Sequence, residues 1–253
     1  MSLEIATIPC RTDNYAYLLH DAESGATAVV DVPDAGPIRS ALADRGWNLS
    51  DILITHHHYD HIDGVEELRA EFDARVVGAA ADAHRLPPLD LAVAEGDIVN
   101  VGCVSGKVLD VSGHTMGHIA FCFPGAAFTA DSLMALGCGR LFEGDAPTMW
   151  ASLSKLAALP PETLIYSGHE YTAANGAFAL TVDPENTALA ARVEAVARAR
   201  AAGEPTVPSL LSLELATNPF LRAVAPEVKQ GLGMAGASDV DTFAEIRRRK
   251  DSF

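Results

Sequence analysis

No stretch of this chain is long and apolar enough to suggest a membrane span. None of its hydrophobic runs approaches about 18 residues without a charge or a turn residue. The opening MSLEIATIPC has neither a basic region nor an apolar run behind it, so no secretory leader is expected. Cysteine is scarce and unpatterned: Cys10, Cys103, Cys122 and Cys138 are scattered without CxxC spacing. That argues against a disulfide framework and for reduced thiols in a cytoplasmic protein. Basic residues are outnumbered, 18 against 34 acidic ones, for a net charge of −16. A surface this acidic repels nucleic acid unless a local basic patch intervenes. One basic run exists, Arg247-Arg248-Arg249-Lys250. Taken alone, it is the last turn of a terminal helix, where cations complement the dipole. Internal repeats and low-complexity linkers are also missing.

What is present is a core. With 49% apolar and 21% charged residues among 253, the chain should bury one large domain, or a domain and a smaller companion. Tyr15–His20 and Ala26–Val32 read as a hairpin around Ser24-Gly25. Ile38–Gly46 reads as a helix ending at a glycine. Asp51–Thr55 is a short strand, and Ile62, Val65, Leu68 and Phe72 mark one helix after it. Val76–Gly78, Val99–Val104, Lys107–Val111, Ile119–Phe123, Ala127–Thr129 and Thr163–Tyr166 are further strand candidates, with Ser152–Leu159 a helix between the last two. Beyond His169 the texture becomes helical. Asp183-Pro184 reads as an N-cap before the alanine-rich run to Ala202, and Ser238 as the cap of a helix bearing Val240, Phe243 and Ile246. The expected division is a mixed α/β domain over 1–169 and a small all-α domain over 170–253.

The chemistry is concentrated where strands end. ITHHHYDHIDG (Ile54–Gly64) places His56, His58, Asp60 and His61 after one strand. His114 follows another in SGHTMGH, Asp131 a third in TADS, and His169 a fourth in SGHEY. Strand ends in one sheet converge on a rim, so these seven residues can meet. Neutral imidazole and carboxylate suit zinc, with iron or manganese also served by the same ligand types. Seven ligands are too many for one tetrahedral ion. They suit two: His56, His58 and His114 for one, Asp60, His61 and His169 for the other, and Asp131 as the bridge. Two such ions acidify a shared water and supply the hydroxide nucleophile of a hydrolase. His57 is expected to point away, and His118 to support the ligands rather than join them.

Taken together, THHHYDH, SGHTMGH, TADS and SGHEYT resemble the metallo-β-lactamase superfamily. Within it, LGCGRLFEG (Leu136–Gly144), TNPFLR (Thr217–Arg222) and the closing RRRKDSF resemble the glyoxalase II (hydroxyacylglutathione hydrolase) family. The resemblance implies an αββα sandwich followed by a helical substrate-binding domain. It also implies hydrolysis of S-D-lactoylglutathione to glutathione and D-lactate, the second step of methylglyoxal detoxification. Arg140 then stands where the family usually has lysine, Tyr171 matches the tyrosine after GHE, and Arg247 and Lys250 match the basic residues that hold the glycine carboxylate of glutathione. Phe142 departs from a frequent tyrosine, a change that bears on glutathione affinity and on acceptance of other thioesters. The metal motifs alone do not name a substrate, so a lactonase or a different thioesterase is the alternative. A metal-binding protein without catalysis is a more distant one. The expected partner is a small-molecule thioester, acting on a cytoplasmic monomer with no obligatory protein partner, no nucleic acid and no membrane.

Overall fold

The computed structural model describes residues 3–253. The chain packs as two compact units: one runs to Asp110 and takes in Met116–Thr129, the other comprises Val111–Thr115 and Ala130–Phe253.

In the first unit, β1 (Glu4–Cys10), β2 (Asn14–His20) and β3 (Thr27–Val30) form an antiparallel meander. Helix α1 (Ala35–Arg45) crosses to β4 (Leu49–Leu53), and short helices α2 (Tyr59–Ile62) and α3 (Val65–Phe72) cross to β5 (Arg75–Ala79). Both crossovers return parallel strands, and β6 (Leu91–Val93) completes a six-stranded sheet in sequence order. Strand periodicity sorts its side chains by face. Ile8, Leu18, Val29, Ile52 and Val76 pack with Ile38 and Leu42 of α1 and Val65 and Leu68 of α3 in one buried cluster. Strands β7 (Ile98–Val101), β8 (Val104–Asp110), β9 (Ile119–Phe123) and β10 (Ala126–Ala130) pair antiparallel in a second sheet. Tyr17 on β2 meets Phe128 on β10 with ring centroids 5.6 Å apart, which sets the two sheets face to face. The unit is therefore layered helix, sheet, sheet.

Two expectations change here. Val99–Val104 is not one strand: the chain reverses at Gly102, whose φ of 56° suits a residue without Cβ and whose missing Cβ leaves room for Ser24 and Asp21. The helix expected through Ile62 and Phe72 breaks at Asp63-Gly64. A Cβ on Gly64 would lie 2.7 Å from the backbone nitrogen of Ala35 and 2.8 Å from Val32 Cγ1, so this approach tolerates no side chain.

The second unit opens with a hairpin, β11 (Leu133–Met134) and β12 (Gly137–Cys138). Helix α4 (Ala146–Ala157) starts earlier than expected because Asp145 caps it, accepting the Thr148 N–H at 2.9 Å. After β13 (Leu164–Ser167) come α5 (Thr172–Val182), α6 (Thr187–Ala201), β14 (Ser209–Leu210), α7 (Leu211–Thr217), α8 (Pro226–Gly231) and α9 (Asp239–Asp251). The helical tail thus lends β13 a two-residue partner strand, Ile165 pairing with Ser209. Asp183 is not the N-cap of the following helix. It ends α5 and gives its carboxylate to Arg222 at 2.7 Å, while Asn186 caps α6. Ser238 caps α9 as expected, accepting from the Asp241 N–H. Phe178, Phe220 and Phe243 form the aromatic core of the tail. Among the described residues, no helix is long and apolar enough to cross a membrane.

Candidate active site

In the first unit, β3 and β4 run parallel and end side by side, at Asp31 and at Thr55-His56. Asp31 has φ 56°, a left-handed conformation that costs a non-glycine residue on the order of 1–3 kcal/mol. That conformation accompanies three contacts to the histidine loop. The Asp31 carboxylate accepts from the Thr55 N–H at 2.8 Å, the Thr55 hydroxyl at 2.8 Å and His61 Nδ1 at 2.8 Å. The Thr55 hydroxyl has one hydrogen, and Asp31 takes it, so Thr55 Oγ1 can only accept from His56 Nδ1, 3.1 Å away. His56 and His61 therefore each carry their proton on Nδ1, leaving Nε2 with a lone pair for a metal. Asp31, His56 and His61 form one group of ligand atoms lying within 4.8 Å of one another. Asn14 donates to the Asp60 carboxylate at 3.1 Å and to its carbonyl at 3.0 Å, which orients Asp60. His58 lies edge-on to His56 at 4.8 Å. His57 pairs with the buried carboxylate of Asp82 at 2.8 Å. His118 stacks on His56 at 4.5 Å and donates from Nδ1 to the Ile119 carbonyl.

In the second unit, His114, Asp131 and His169 come together. His114 Nε2 is 3.5 Å and His169 Nε2 3.4 Å from the same Asp131 oxygen, Oδ2. His114 Nδ1 donates to the Arg140 carbonyl at 2.7 Å, so its Nε2 presents a lone pair toward a carboxylate. Two acceptors turned to face each other repel unless a cation lies between them. This donor set therefore fits a divalent ion better than it fits a hydrogen-bonded triad, whose contacts are shorter. Ala130, just before Asp131, has φ 40°, and Gly139 lies so close to Asp131 that a Cβ there would meet its carbonyl oxygen and, at 3.0 Å, His114 Nδ1.

The same unit places the remaining candidates. Tyr171 stacks on His169 at 4.6 Å with planes 6° apart, and Phe142 meets His114 edge-on at 5.2 Å. Both aromatics are open to solvent, 39% and 61% exposed. Arg140 lies over the Phe142 ring and 3.5 Å from Asp251, which also holds Arg247 at 2.7 Å. Arg247 is buried, with Nη1 donating to the Cys138 carbonyl at 3.1 Å. Lys250 lies over the Phe178 and Phe253 rings. Burial, and then the Arg247 charge, lower its pKa below the ordinary lysine value. Burial also pushes the Cys138 thiol up to about 11, which keeps it an unreactive neighbour of this arm. Of the basic run, Arg248 and Arg249 are taken up by Glu245, whose carboxyl they hold down at about 2. Arg247 is taken up as well, its Nε and Nη2 both donating to Asp251, while Lys250 reaches the Ala174 carbonyl at 3.4 Å.

Sequence reasoning missed Asp31, Asn14, Asp82 and Asp251. Asp31 had a signal, since it ends the apolar run TAVVD as the other acidic candidates end theirs. For Asn14 and Asp82 the partners that matter, Asp60 and His57, are distant in sequence, and for Asp251 an ordinary i,i+4 pair with Arg247 conceals its second contact with Arg140.

Residues 12–169 match the family described as Metallo-beta-lactamase superfamily, and residues 170–253 match Hydroxyacylglutathione hydrolase C-terminus. The chain is 64% identical over 255 residues to a hydroxyacylglutathione hydrolase of Cereibacter sphaeroides, covering all of both chains. Among solved structures it is similar to ETHE1 from Myxococcus xanthus, with TM-score 0.71, 25% identity, and 98% and 90% of the two chains covered. It is also similar to TTHA1623 in a di-iron-bound form, with TM-score 0.63, 25% identity, and 86% and 100% covered. The fold is the metallo-β-lactamase α/β fold with a helical C-terminal domain, and its clustered histidines and aspartates suit divalent metal. The chain belongs to the hydroxyacylglutathione hydrolase family of the metallo-β-lactamase superfamily.

Proposed function

We propose that this protein hydrolyses S-D-lactoylglutathione to glutathione and D-lactate. The observation that carries the reading is the order of groups in the second unit. Metal donors (His114, Asp131, His169) are followed by exposed aromatics (Phe142, Tyr171), and then by cations (Arg140, Arg247, Lys250). A ligand with a reactive acyl end and an anionic far end matches that order, and glutathione thioesters have both. Residues 1–169 would be the metal-binding catalytic domain and 170–253 the substrate-binding domain.

His56, His58 and His114 would hold one ion, and Asp60, His61 and His169 a second, with Asp131 bridging. Zinc is the first candidate, with iron or manganese equally compatible with these ligands; a similar protein has been solved with two irons. When bound, two such ions acidify water and polarise a carbonyl. The protein's own groups do the rest. Asp31 and the Thr55 hydroxyl keep His61 and His56 in the tautomer that binds metal. Tyr171 and Phe142 flank the acyl end, while Arg247 and Lys250, with Arg140 beside them, neutralise the substrate carboxylate. Glutathione leaves as a thiolate whose conjugate acid has a pKa of roughly 8.5, so no separate general acid is required. The same chemistry needs no protein partner, nucleic acid or membrane, and we place the enzyme in the cytoplasm as a monomer.

Lys250 gives the test of the anionic end. Lys250→Ala should raise KM for lactoylglutathione several-fold with kcat nearly unchanged, because the lost contact is the same in ground and transition states. The lowered pKa of Lys250 means its charge is lost earlier on the alkaline side than an ordinary lysine's. KM of the unsubstituted enzyme should accordingly rise with pH below 10.5, and the variant should lack that rise. Steady-state kinetics across pH checks both, and a fall in kcat at constant KM would remove Lys250 from substrate binding.

A further inference from the structure

The hairpin of β11 and β12 joins Asp131 to Arg140, and it has almost no structure of its own. Its ladder consists of two residue pairs, Leu133 with Cys138 and Met134 with Gly137. Its tip residue Leu136 is held at φ 56°, a conformation leucine does not choose unaided. Five further backbone groups of the hairpin are bonded by the helical tail. Asn218 Nδ2 donates to the Met134 carbonyl at 3.1 Å and the Gly137 carbonyl at 2.9 Å. Asn175 Nδ2 donates to the Ala135 carbonyl at 3.1 Å. The Leu136 N–H donates to Glu214 Oε2 at 2.9 Å, and Arg247 donates to the Cys138 carbonyl. Asn218, Asn175 and Glu214 are all buried, and Asn218 is itself oriented by a bond to Glu214 at 3.1 Å. Gly137 lies against the Asn175 amide with no room for a Cβ, so that amide sits directly on the hairpin.

We infer that Asn218 and Asn175, backed by Glu214, are positioning residues that set the carboxylate-binding arm at Arg140 by imposing the hairpin's shape from the helical tail. The proposal rests on the reading of Arg247 and Lys250 as the residues that hold the glycine carboxylate, with Arg140 completing the same cationic arm. None of the three residues touches substrate. Each acts through backbone carbonyls or an N–H a few residues before Arg140. This explains what the TNPFLR stretch contributes, since its asparagine carries the two hairpin bonds and its Phe220 N–H returns one to the Asn218 side chain at 3.0 Å.

The test compares glutathione with glutathione amidated at its glycine carboxylate, binding each by calorimetry to the full-length protein. The unsubstituted protein should favour the acid. Misplacing a binding group by an ångström or less is expensive, so in Asn218→Ala the Kd for glutathione should rise about tenfold while the Kd for the amide stays within about twofold. A role confined to stability would lower the melting temperature and leave the acid-to-amide ratio where it was. Should Asn218→Ala fail to fold, Asn175→Ala removes a single bond and decides the same ratio, with an expected rise of about threefold for the acid alone. Retention of the full ratio in a folded variant would overturn the positioning role. If the unsubstituted protein itself binds acid and amide equally, the carboxylate reading fails and the proposal falls with it, an outcome seen before any variant is made.

Discussion

Asp131→Ala should abolish hydrolysis and empty the site of metal together. Its loss in kcat/KM should go well beyond the roughly 10–100-fold that removing an outer-shell partner costs. One oxygen of Asp131 faces Nε2 of both His114 and His169, at 3.5 and 3.4 Å, and His114 cannot donate there because its proton is spent on the Arg140 carbonyl. The carboxylate is buried, so without a cation its charge has little solvent to lean on. Removing it takes the negative charge away from the donor set while leaving two imidazoles that bind metal more weakly alone. Asp131→Asn is the sharper companion variant, since it keeps the shape and loses the charge. Metal content by elemental analysis and kcat/KM are to be measured on both variants. Full metal retention in Asp131→Ala would break the bridging assignment, even if activity were lost.

The largest effect on stability is expected at Glu214→Ala, a loss of about 3–5 kcal/mol. Glu214 is fully buried on α7 and accepts from Arg192, the Leu136 N–H, the Ser209 hydroxyl and Asn218. Arg192 on α6 is nearly as buried, with Thr217 as its other side-chain partner at 2.7 Å. Breaking such a pair leaves one charge uncompensated in the interior, and that penalty exceeds what the intact pair contributes. At roughly 2–4 °C per kcal/mol for a chain of this size, the melting temperature should fall by about 6–20 °C. The double variant Glu214→Ala with Arg192→Leu should recover part of the loss, because it removes the stranded charge. Thermal unfolding of the three proteins measures this, and a single-variant loss below about 1 kcal/mol would show the network to be incidental.

The clustered histidines and aspartates are legible in the sequence for a physical reason. His56, His114, Asp131 and His169 each follow an apolar run whose residues pair in a sheet, so strand ends carry the chemistry and local pattern reveals them. Asp31 obeys the same rule and is still missed, because the hairpin strand read through Val32 hides where β3 stops. The helix expected across Ile62–Phe72 breaks at Gly64, where close contact with Val32 and Ala35 decides, and no local propensity reports such a contact. Asp183 offers a cap-and-proline signature, yet its carboxylate is drawn off by Arg222, 39 residues away. The basic run shows the limit from the other side. Composition marks RRRK as a helix end, and only the structure separates Arg248 and Arg249, paired with Glu245, from Arg247, buried on the Cys138 carbonyl, and from Lys250 over the Phe178 and Phe253 rings. Buried charges such as Glu214 and Arg192 are the least legible, since nothing nearby in sequence distinguishes them from solvated residues on an ordinary helix face.

The central claim is that metal donors and a cationic arm together select a glutathione thioester. Its most direct test is kcat/KM for S-D-lactoylglutathione on metal-replete protein, beside a simple lactone and a thioester lacking glutathione. The expected value is about 10⁴–10⁸ M⁻¹s⁻¹ on lactoylglutathione, well above both comparators. A weak rate on lactoylglutathione with a faster one on either comparator would contradict the claim, and would assign the same donors to a different hydrolysis.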